Sequence, residues 1–294
     1  MADTFKKIAR IMNQEVVEPV RQTTIARKIM AINPKIKGKG IWNVDVTELS
    51  ELSDATIDFG LPSGDSHRDA IKASVTNIQL PVLWKGYEIP RSQYESFVQK
   101  DIELDSEAAT SAAVVVTQKE DSLLLDGWAF DGSNYDVDGL YQSAGNSETT
   151  SDDFGTAGNA IDKIAAAKGL LAEDSIYGMN YNLALHPTQF AELDGSVLSN
   201  GERELSEVIK QLNPYPNAAP GMIHQSTEIT DGTGMLMPVD PARRFFEIIE
   251  AQPMDNVLGE DSKVPGISPI YGTTYSVVYP HIKHNEAICS LTNI

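Results

Sequence analysis

The sequence predicts an α+β fold with an N-terminal arm, an extended β-hairpin, a long helix and a smaller α/β region. Three observations support this class. Apolar residues recur every three or four positions in the first 29 residues, and two alternating runs flank a polar stretch near residues 60–65. A helical stripe of apolar residues then continues for roughly six turns after residue 105. Separate helical and β segments of this kind indicate the mixed α+β class.

The composition is that of a folded protein. The chain has 294 residues, of which 41% are apolar and 22% charged, so it can bury one large core or two modest ones. No apolar run approaches the roughly 18 to 20 residues that span a bilayer, so we expect no membrane partner. Cys289 is the only cysteine, which excludes an intrachain disulfide. Because no signal-peptide pattern follows Met1, we expect the protein inside a cell or in a particle built there.

The charge of −19 is unevenly distributed. Residues 1–39 hold nine Lys or Arg and three acidic residues, a net charge of +6, which leaves −25 for the other 255 residues. A basic segment on an acidic body suits contact with a polyanion or with an acidic neighbouring subunit, whereas the alternative is a solvated face of an amphipathic helix. The candidate basic residues for an interior surface are Lys6, Lys7, Arg10, Lys35, Lys37 and Lys39.

The first element is an amphipathic arm. Its apolar positions have helical spacing, with an interruption near Pro19, and the segment ends at Asn33 and Pro34. We predict an arm over residues 1–37 that buries one face against another subunit. The residues expected to do so are Phe5, Ile8, Met12 and Val16.

The second element is an extended hairpin. Alternating apolar residues occur around Trp42, and again in a run that ends at Trp84, on either side of the polar stretch. A hairpin with an apolar face and no core of its own is marginal in isolation, so we expect it to pack against a neighbour. The candidate assembly residues are Trp42, Val44, Val46, Ile78 and Leu80.

The third element is the long helix. A short helix at residues 92–100 is predicted first, and Asp105 with Ser106 then supplies an N-cap for a helix that ends at Gly127. Three consecutive valines at 114–116 lower its intrinsic propensity, so tertiary packing must override that preference. Its predicted core residues are Ala112, Val116 and Leu123. The stripe alone is also compatible with a core helix of an unrelated fold.

The rest of the chain indicates an α/β region followed by β structure. Helices are predicted at residues 159–171, 187–193 and 202–212, with strands at 181–185, 220–228 and 233–239. Further strands are predicted at residues 245–249, 274–279 and 288–291, and the segment from His281 to Glu286 is also interpreted as a strand.

No motif indicates a catalytic, cofactor or metal site. Residues 131–138 are rich in Asp and Asn, but the loop lacks the glycine at the sixth position that a calcium-binding EF-hand requires. His281 and His284 are three positions apart, and residues at that spacing point to opposite faces of a strand. We therefore predict no catalytic residues, no cofactor and no metal.

The order of these elements resembles one family. From Leu80 to Tyr141 the chain reads LPVLWKGYEIPRSQYESFVQKDIELDSEAATSAAVVVTQKEDSLLLDGWAFDGSNYDVDGLY. It is similar to the passage from the E-loop to the spine helix of the Hong Kong 97-like shell fold, shared by major capsid proteins of tailed viruses and by encapsulins. The stretch YNLALHPTQF at 181–190 resembles the opening of that fold's A-domain, and HNEAI at 284–288 resembles its closing P-domain strand.

The resemblance implies four regions and a structural role. They are an N-arm at 1–37, an E-loop at 38–88, a P-domain at 89–150 and 241–294, and an A-domain at 151–240. The implied protein is not an enzyme but a subunit that assembles with itself into pentamers and hexamers of an icosahedral shell. Portal, scaffold or decoration proteins are possible further partners.

Three functions are compatible with the sequence. The favoured one is the major capsid protein of a tailed virus or prophage, located in the virion and contacting packaged double-stranded DNA non-specifically. The first alternative is the cytoplasmic shell of an encapsulin nanocompartment that encloses a cargo enzyme. The second alternative is a soluble α/β enzyme with an unrecognised active site.

Overall fold

A computed structural model describes residues 25–36, 38, 40–49, 73–90, 107–130, 136–260 and 270–294. Several predictions fall outside these residues. They are the short helix at 92–100, the arm residues Phe5, Ile8, Met12 and Val16, and the basic residues Lys6, Lys7, Arg10, Lys37 and Lys39.

The described residues form five α-helices and twelve strands. The helices are α1 (Ala26–Ile29), α2 (Glu107–Leu125), α3 (Asn159–Glu173), α4 (Pro187–Gly195) and α5 (Glu204–Leu212). The strands are β1 (Asn43–Leu49), β2 (Ala73–Gln79), β3 (Val82–Ile89), β4 (Gly127–Trp128), β5 (Val137–Asp138), β6 (Asn146–Glu148), β7 (Tyr181–Leu185), β8 (Ile223–Gln225), β9 (Thr233–Pro238), β10 (Phe246–Glu260), β11 (Ile270–Ile282) and β12 (Cys289–Thr292).

The long helix α2 packs on an antiparallel sheet of three strands, in the order β10-β11-β3. Its buried stripe includes Ala112, Val116 and Leu123, and all three side chains are almost fully buried. Val114 and Val115 lie on the opposite, exposed side. Packing of the buried stripe compensates for the poor helix propensity of the valine triplet, which explains why this segment is helical.

The hairpin differs from the sequence-based prediction in one respect. β1 pairs with β2 in antiparallel register, from Asn43 opposite Gln79 to Leu49 opposite Ala73. The alternating run that ends at Trp84 is not one strand. It is divided into β2, which pairs with β1, and β3, which pairs with β11. Pro81 lies at the break. Proline has no backbone N–H to donate, so the ladder with β1 ends at the hydrogen bond from Leu80 N to Trp42 O, 2.8 Å long.

The α/β region is built on a five-stranded sheet in the order β6-β12-β9-β7-β8. Helices α3 and α5 pack against each other beside this sheet and share a core with β7. β7 is buried along its whole length, as expected for a central strand covered on both faces.

The structure of the C-terminal segment differs from a second sequence-based prediction. Of the segment predicted as a strand at 281–286, only His281 and Ile282 are in one, because β11 ends at Ile282 and a 3-10 turn follows at Asn285–Ala287. β12 then inserts between β6 and β9, so the last strand belongs to the sheet of the α/β region. No helix in the described part of the chain is both long and apolar enough to cross a membrane.

Candidate assembly surfaces

The hairpin and β3 expose large apolar side chains. Trp42 is 57% exposed and Trp84 is 68% exposed, while Val44, Val46 and Ile78 are half-buried. Exposed patches of large apolar side chains mark surfaces that contact other molecules.

Leu80 is an exception among the predicted hairpin residues. Its side chain is almost fully buried and belongs to a cluster with Ile249, Ala251 and Val277. The expectation that Leu80 contacts another subunit is therefore wrong. Leu80 follows the last residue of β2, where the hairpin joins the body, and its side chain fills the body's own core.

An apolar groove of about 490 Å³ lies between β3 and α2. Trp84 and Pro81 line one side, and Val115, Lys119 and Leu123 line the other. Trp128, which also borders the groove, stacks edge-to-face on the exposed Phe130 at 6.1 Å between ring centres. Sequence reasoning missed Trp128 and Phe130. The short strand β4 that carries Trp128 gives no periodic signal.

The exposed face of α2 has an unusual composition. Among the side chains of α2 whose burial the structure describes, residues 109–125, this face carries one cation and no acidic residue, although the chain contains 42 Asp and Glu. A solvated helix face in such a chain would be rich in carboxylates, so this composition favours a covered surface. The exposed residues are Thr110, Ser111, Val114, Val115, Gln118 and Lys119.

Arg27 attaches the root of the arm to the body. Its guanidinium lies 2.5 Å from Glu120 (Nε to Oε1) on α2 and 2.8 Å from Glu250 (Nη1 to Oε1) on β10, and all three side chains are nearly buried. Burial opposes the charged form of Arg27, but the two carboxylates outweigh it and raise the pKa of the guanidinium. Arg27 is therefore charged at every physiological pH.

Asp121 lies beside this pair. Its carboxylate accepts a 2.9 Å hydrogen bond from the backbone N–H of Ala26 and a 3.3 Å hydrogen bond from the hydroxyl of Ser226. Burial raises the pKa of Asp121 above its usual range despite these hydrogen bonds. The carboxylate thus joins the arm root, the long helix and the α/β region.

A second attachment point lies at Glu247 on β10. Its carboxylate is 2.9 Å from the side-chain amide of Asn33, 3.1 Å from His281 Nδ1 and 3.2 Å from Lys283 Nζ. Burial alone would raise the pKa of Glu247, but the hydrogen bonds from His281, Lys283 and Asn33 hold the pKa below its ordinary value. A parallel bridge between Ile32 and Ile248 continues the same contact.

Glu247→Gln is expected to lower the free energy of unfolding at pH 7 by about 1.5–3 kcal/mol, the usual contribution of hydrogen bonds to a charged group. Because the folded pKa is lowered, the stabilisation is present above the ordinary value of about 4.5 and disappears as the pH falls through the folded-state value. Chemical denaturation at several pH values measures the difference. The exposed Glu286 provides the control, since Glu286→Gln should have little effect at any pH. A Glu247→Gln penalty that is constant with pH would contradict this assignment.

Of the six basic residues predicted to face the interior, Lys35 lies in the described part of the chain, and it is exposed. Its backbone N–H donates to Asn33 Oδ1 at 2.9 Å, in a turn at the end of the arm root. Among the described residues, no group of three or more His, Cys, Asp and Glu is arranged to hold a metal ion.

Solved structures share this fold. A virus-like particle from Pyrococcus furiosus matches with a TM-score of 0.61 at 17% identity, over 95% of this chain and 97% of that chain. The capsid of Myoviridae phage XM1 matches with a TM-score of 0.70 at 14% identity, over 92% of both chains. The chain therefore has the Hong Kong 97-like fold, as the element order predicted.

The sequence narrows this class to a family. The chain belongs to the family described as encapsulating protein for peroxidase, whose sequence model matches residues 2–240. The diheme-cytochrome-encapsulin shell fusion protein of Kuenenia stuttgartiensis is 25% identical over 219 residues, which cover 71% of this chain and 58% of that protein. This chain thus spans less than two thirds of that relative's length.

Proposed function

We propose that this protein is the shell subunit of an encapsulin nanocompartment that encloses a redox-active protein. The family match over residues 2–240 carries this proposal. It favours the first alternative of the sequence analysis over the viral capsid. The family is described as encapsulating a peroxidase, and the Kuenenia relative joins an encapsulin shell to a diheme cytochrome. Peroxidases and diheme cytochromes are both redox proteins, which suggests the class of the cargo.

The exposed surfaces support assembly. The hairpin presents Trp42, and the groove between β3 and α2 presents Trp84 and Val115, on surfaces that no other described part of this chain covers. Two such surfaces on one chain allow each copy to contact more than one neighbour, and repeated contacts of this kind close into a shell.

The test is to purify native particles and to identify their contents. Electron microscopy should show closed shells, and mass spectrometry should find one abundant second protein. The absorption spectrum of the particles should show a haem, flavin or metal centre. Only monomers or dimers under native conditions would contradict both shell functions. Closed shells with a protein cargo that has no redox centre would retain the shell and overturn the cargo class.

A second candidate is the viral capsid, because residues 1–39 carry a net charge of +6. This function requires nuclease-resistant double-stranded DNA in the particles in place of a protein cargo. Contacts of the arm with phosphates would also make DNA-filled particles more sensitive to salt than empty ones.

Trp84→Glu is expected to weaken particle formation without unfolding the subunit. The side chain is 68% exposed in the single subunit, so the charge is tolerated there, whereas a buried apolar contact of about 1.5–3 kcal/mol is lost in each interface. The concentration needed for assembly should therefore rise at least tenfold, which light scattering measures. Trp84→Phe is the control and should still form particles. Normal assembly of Trp84→Glu would exclude this surface as an interface.

A further inference from the structure

A second groove, of about 610 Å³, lies beside the root of the arm. It is formed where α1 approaches β8, an edge strand of the five-stranded sheet among the described residues. Lys28 of α1 and His224 of β8 both line this groove, and they are the two ionisable side chains in its described lining. The other described residues that line it are apolar or carry side-chain amides. This groove belongs to neither of the surfaces assigned above to assembly.

The ring of His224 is in an environment that opposes a positive charge. The residue is 9% exposed, and burial lowers the pKa of His224 from its ordinary value of 6.5, with a smaller contribution from the charge of Lys28. No carboxylate is present in the described lining of the groove to offset a charge on the ring. His224 is therefore neutral at pH 7. Uptake of a proton by the ring places a second positive charge in the groove, beside that of Lys28.

α1 lies between the long helix and the five-stranded sheet. Ala26 is fully buried in a cluster that includes Ala184 of β7, and Ala184 is the residue opposite His224 in the sheet. On the other side, Arg27 is paired with buried carboxylates of α2 and β10. A repulsion between His224 and Lys28 therefore acts on the contact of α1 with the sheet, whereas the ion pairs of Arg27 hold α1 to the rest of the body.

We propose that His224 and Lys28 form a proton-dependent switch, which loosens α1 from β8 in mildly acidic solution. While His224 is neutral, the apolar lining of the groove stabilises the contact between the two elements. Once the ring has bound a proton from the solvent, two positive charges repel each other in a groove whose described lining offers no carboxylate. Release of the proton at higher pH restores the contact, so the switch is reversible. The inference does not depend on the proposed function, because both residues belong to one chain.

Three ionisable groups around the arm root titrate with different signs. Because the folded-state pKa of His224 is lowered, the stabilisation from the neutral ring is present above about 6.5 and is lost as the pH falls through the folded-state value. Asp121, which contacts Ser226 two residues after His224, has a pKa raised by burial, so proton uptake by Asp121 favours the folded state instead. The stabilisation from Glu247 is lost only below about 4.5. The range between pH 6.5 and pH 5 therefore separates the effect of His224 from the effects of these two carboxyl groups.

Hydrogen exchange of the full-length protein at pH 7.5 and pH 5.0, followed by mass spectrometry, tests the switch. The readout is the protection of the amides of Lys28, Ile29 and Met30, whose N–H groups donate to the carbonyls of Ile25 and Ala26. This protection is divided by that of α5 in the same digest, so that the intrinsic pH dependence of exchange cancels. The ratio should fall about two- to fivefold at pH 5.0, since a like-charge pair opposes a contact by about as much as an exposed ion pair favours it.

Two variants identify the residues of the switch. His224→Gln cannot bind a proton in this pH range, so its ratio should be equal at the two pH values. Lys28→Glu places a carboxylate beside the protonated ring, so its ratio should stay constant or rise at pH 5.0. Lys28 is exposed, and this variant is therefore expected to fold. Thermal melting at pH 7.5 verifies the fold of both variants.

The matched control is His284→Gln. His284 is exposed and does not line the groove, so this variant should retain the fall in the ratio. A wild-type ratio that is the same at both pH values would overturn the proposal, and so would a fall that persists in His224→Gln. A fall of the same size in Lys28→Glu would also overturn it, because the repulsion would then not involve Lys28.

Discussion

Replacing Val116 with aspartate is expected to unfold the protein. The side chain is 2% exposed and faces the sheet formed by β3, β10 and β11. An unpaired carboxylate there costs several kcal/mol, a large part of the roughly 5–15 kcal/mol that stabilises a domain. Val116→Asp should therefore be insoluble or lack a cooperative thermal transition, as circular dichroism and soluble yield would measure.

The adjacent residue provides the control. Val115 is 43% exposed on the other side of α2, so Val115→Asp should melt close to the wild-type temperature. Because Val115 lines the groove between β3 and α2, the same variant should impair particle formation. A normal melting transition for Val116→Asp, or unfolding caused by Val115→Asp, would show that the helix faces are assigned incorrectly.

Arg27→Met is expected to destabilise the protein by about 3–5 kcal/mol. The substitution retains much of the aliphatic volume but leaves Glu120 and Glu250 buried without their cation. Uncompensated buried charges account for most of the penalty, which corresponds to a fall in melting temperature of roughly 6–20 °C. Calorimetry of the unassembled subunit measures this change directly.

Lys28 provides the matched control for Arg27. It is the next residue on the same short helix but is exposed, so Lys28→Met should change the stability by less than about 0.5 kcal/mol. Adding Glu120→Gln and Glu250→Gln to Arg27→Met should recover part of the loss, since the buried charges are then removed together. An unchanged melting temperature for Arg27→Met would mean that the ion pairs are not formed in solution.

These contacts give the arm root a specific role in a shell protein. Arg27 and Asn33 attach residues 25–36 to both α2 and β10. The place where the arm joins the body is thus defined by buried polar contacts. Loss of Arg27 should therefore affect both the stability of the subunit and the accuracy of assembly.

Local patterns predicted most of the elements. β7 occurs at the residues predicted, and α3 and α5 differ from the predicted ranges by about two residues. Such agreement is expected because one buried face imposes a period of 2 on a strand and 3.6 on a helix. The prediction for the C-terminal segment failed at Ile282 because a 3-10 turn of three residues is too short to produce a period.

The sequence by itself determined the α+β class, the faces of α2 and the order of elements that places the chain among shell proteins, because each depends on local periodicity or on the succession of segments. Only the tertiary structure decided that β3 leaves β1 for β11, that Leu80 is part of the core, and that Arg27 meets Glu120 across 93 residues of chain. Contacts between distant residues leave no local pattern. They depend on how the sheets and helices pack, which a single sequence does not display.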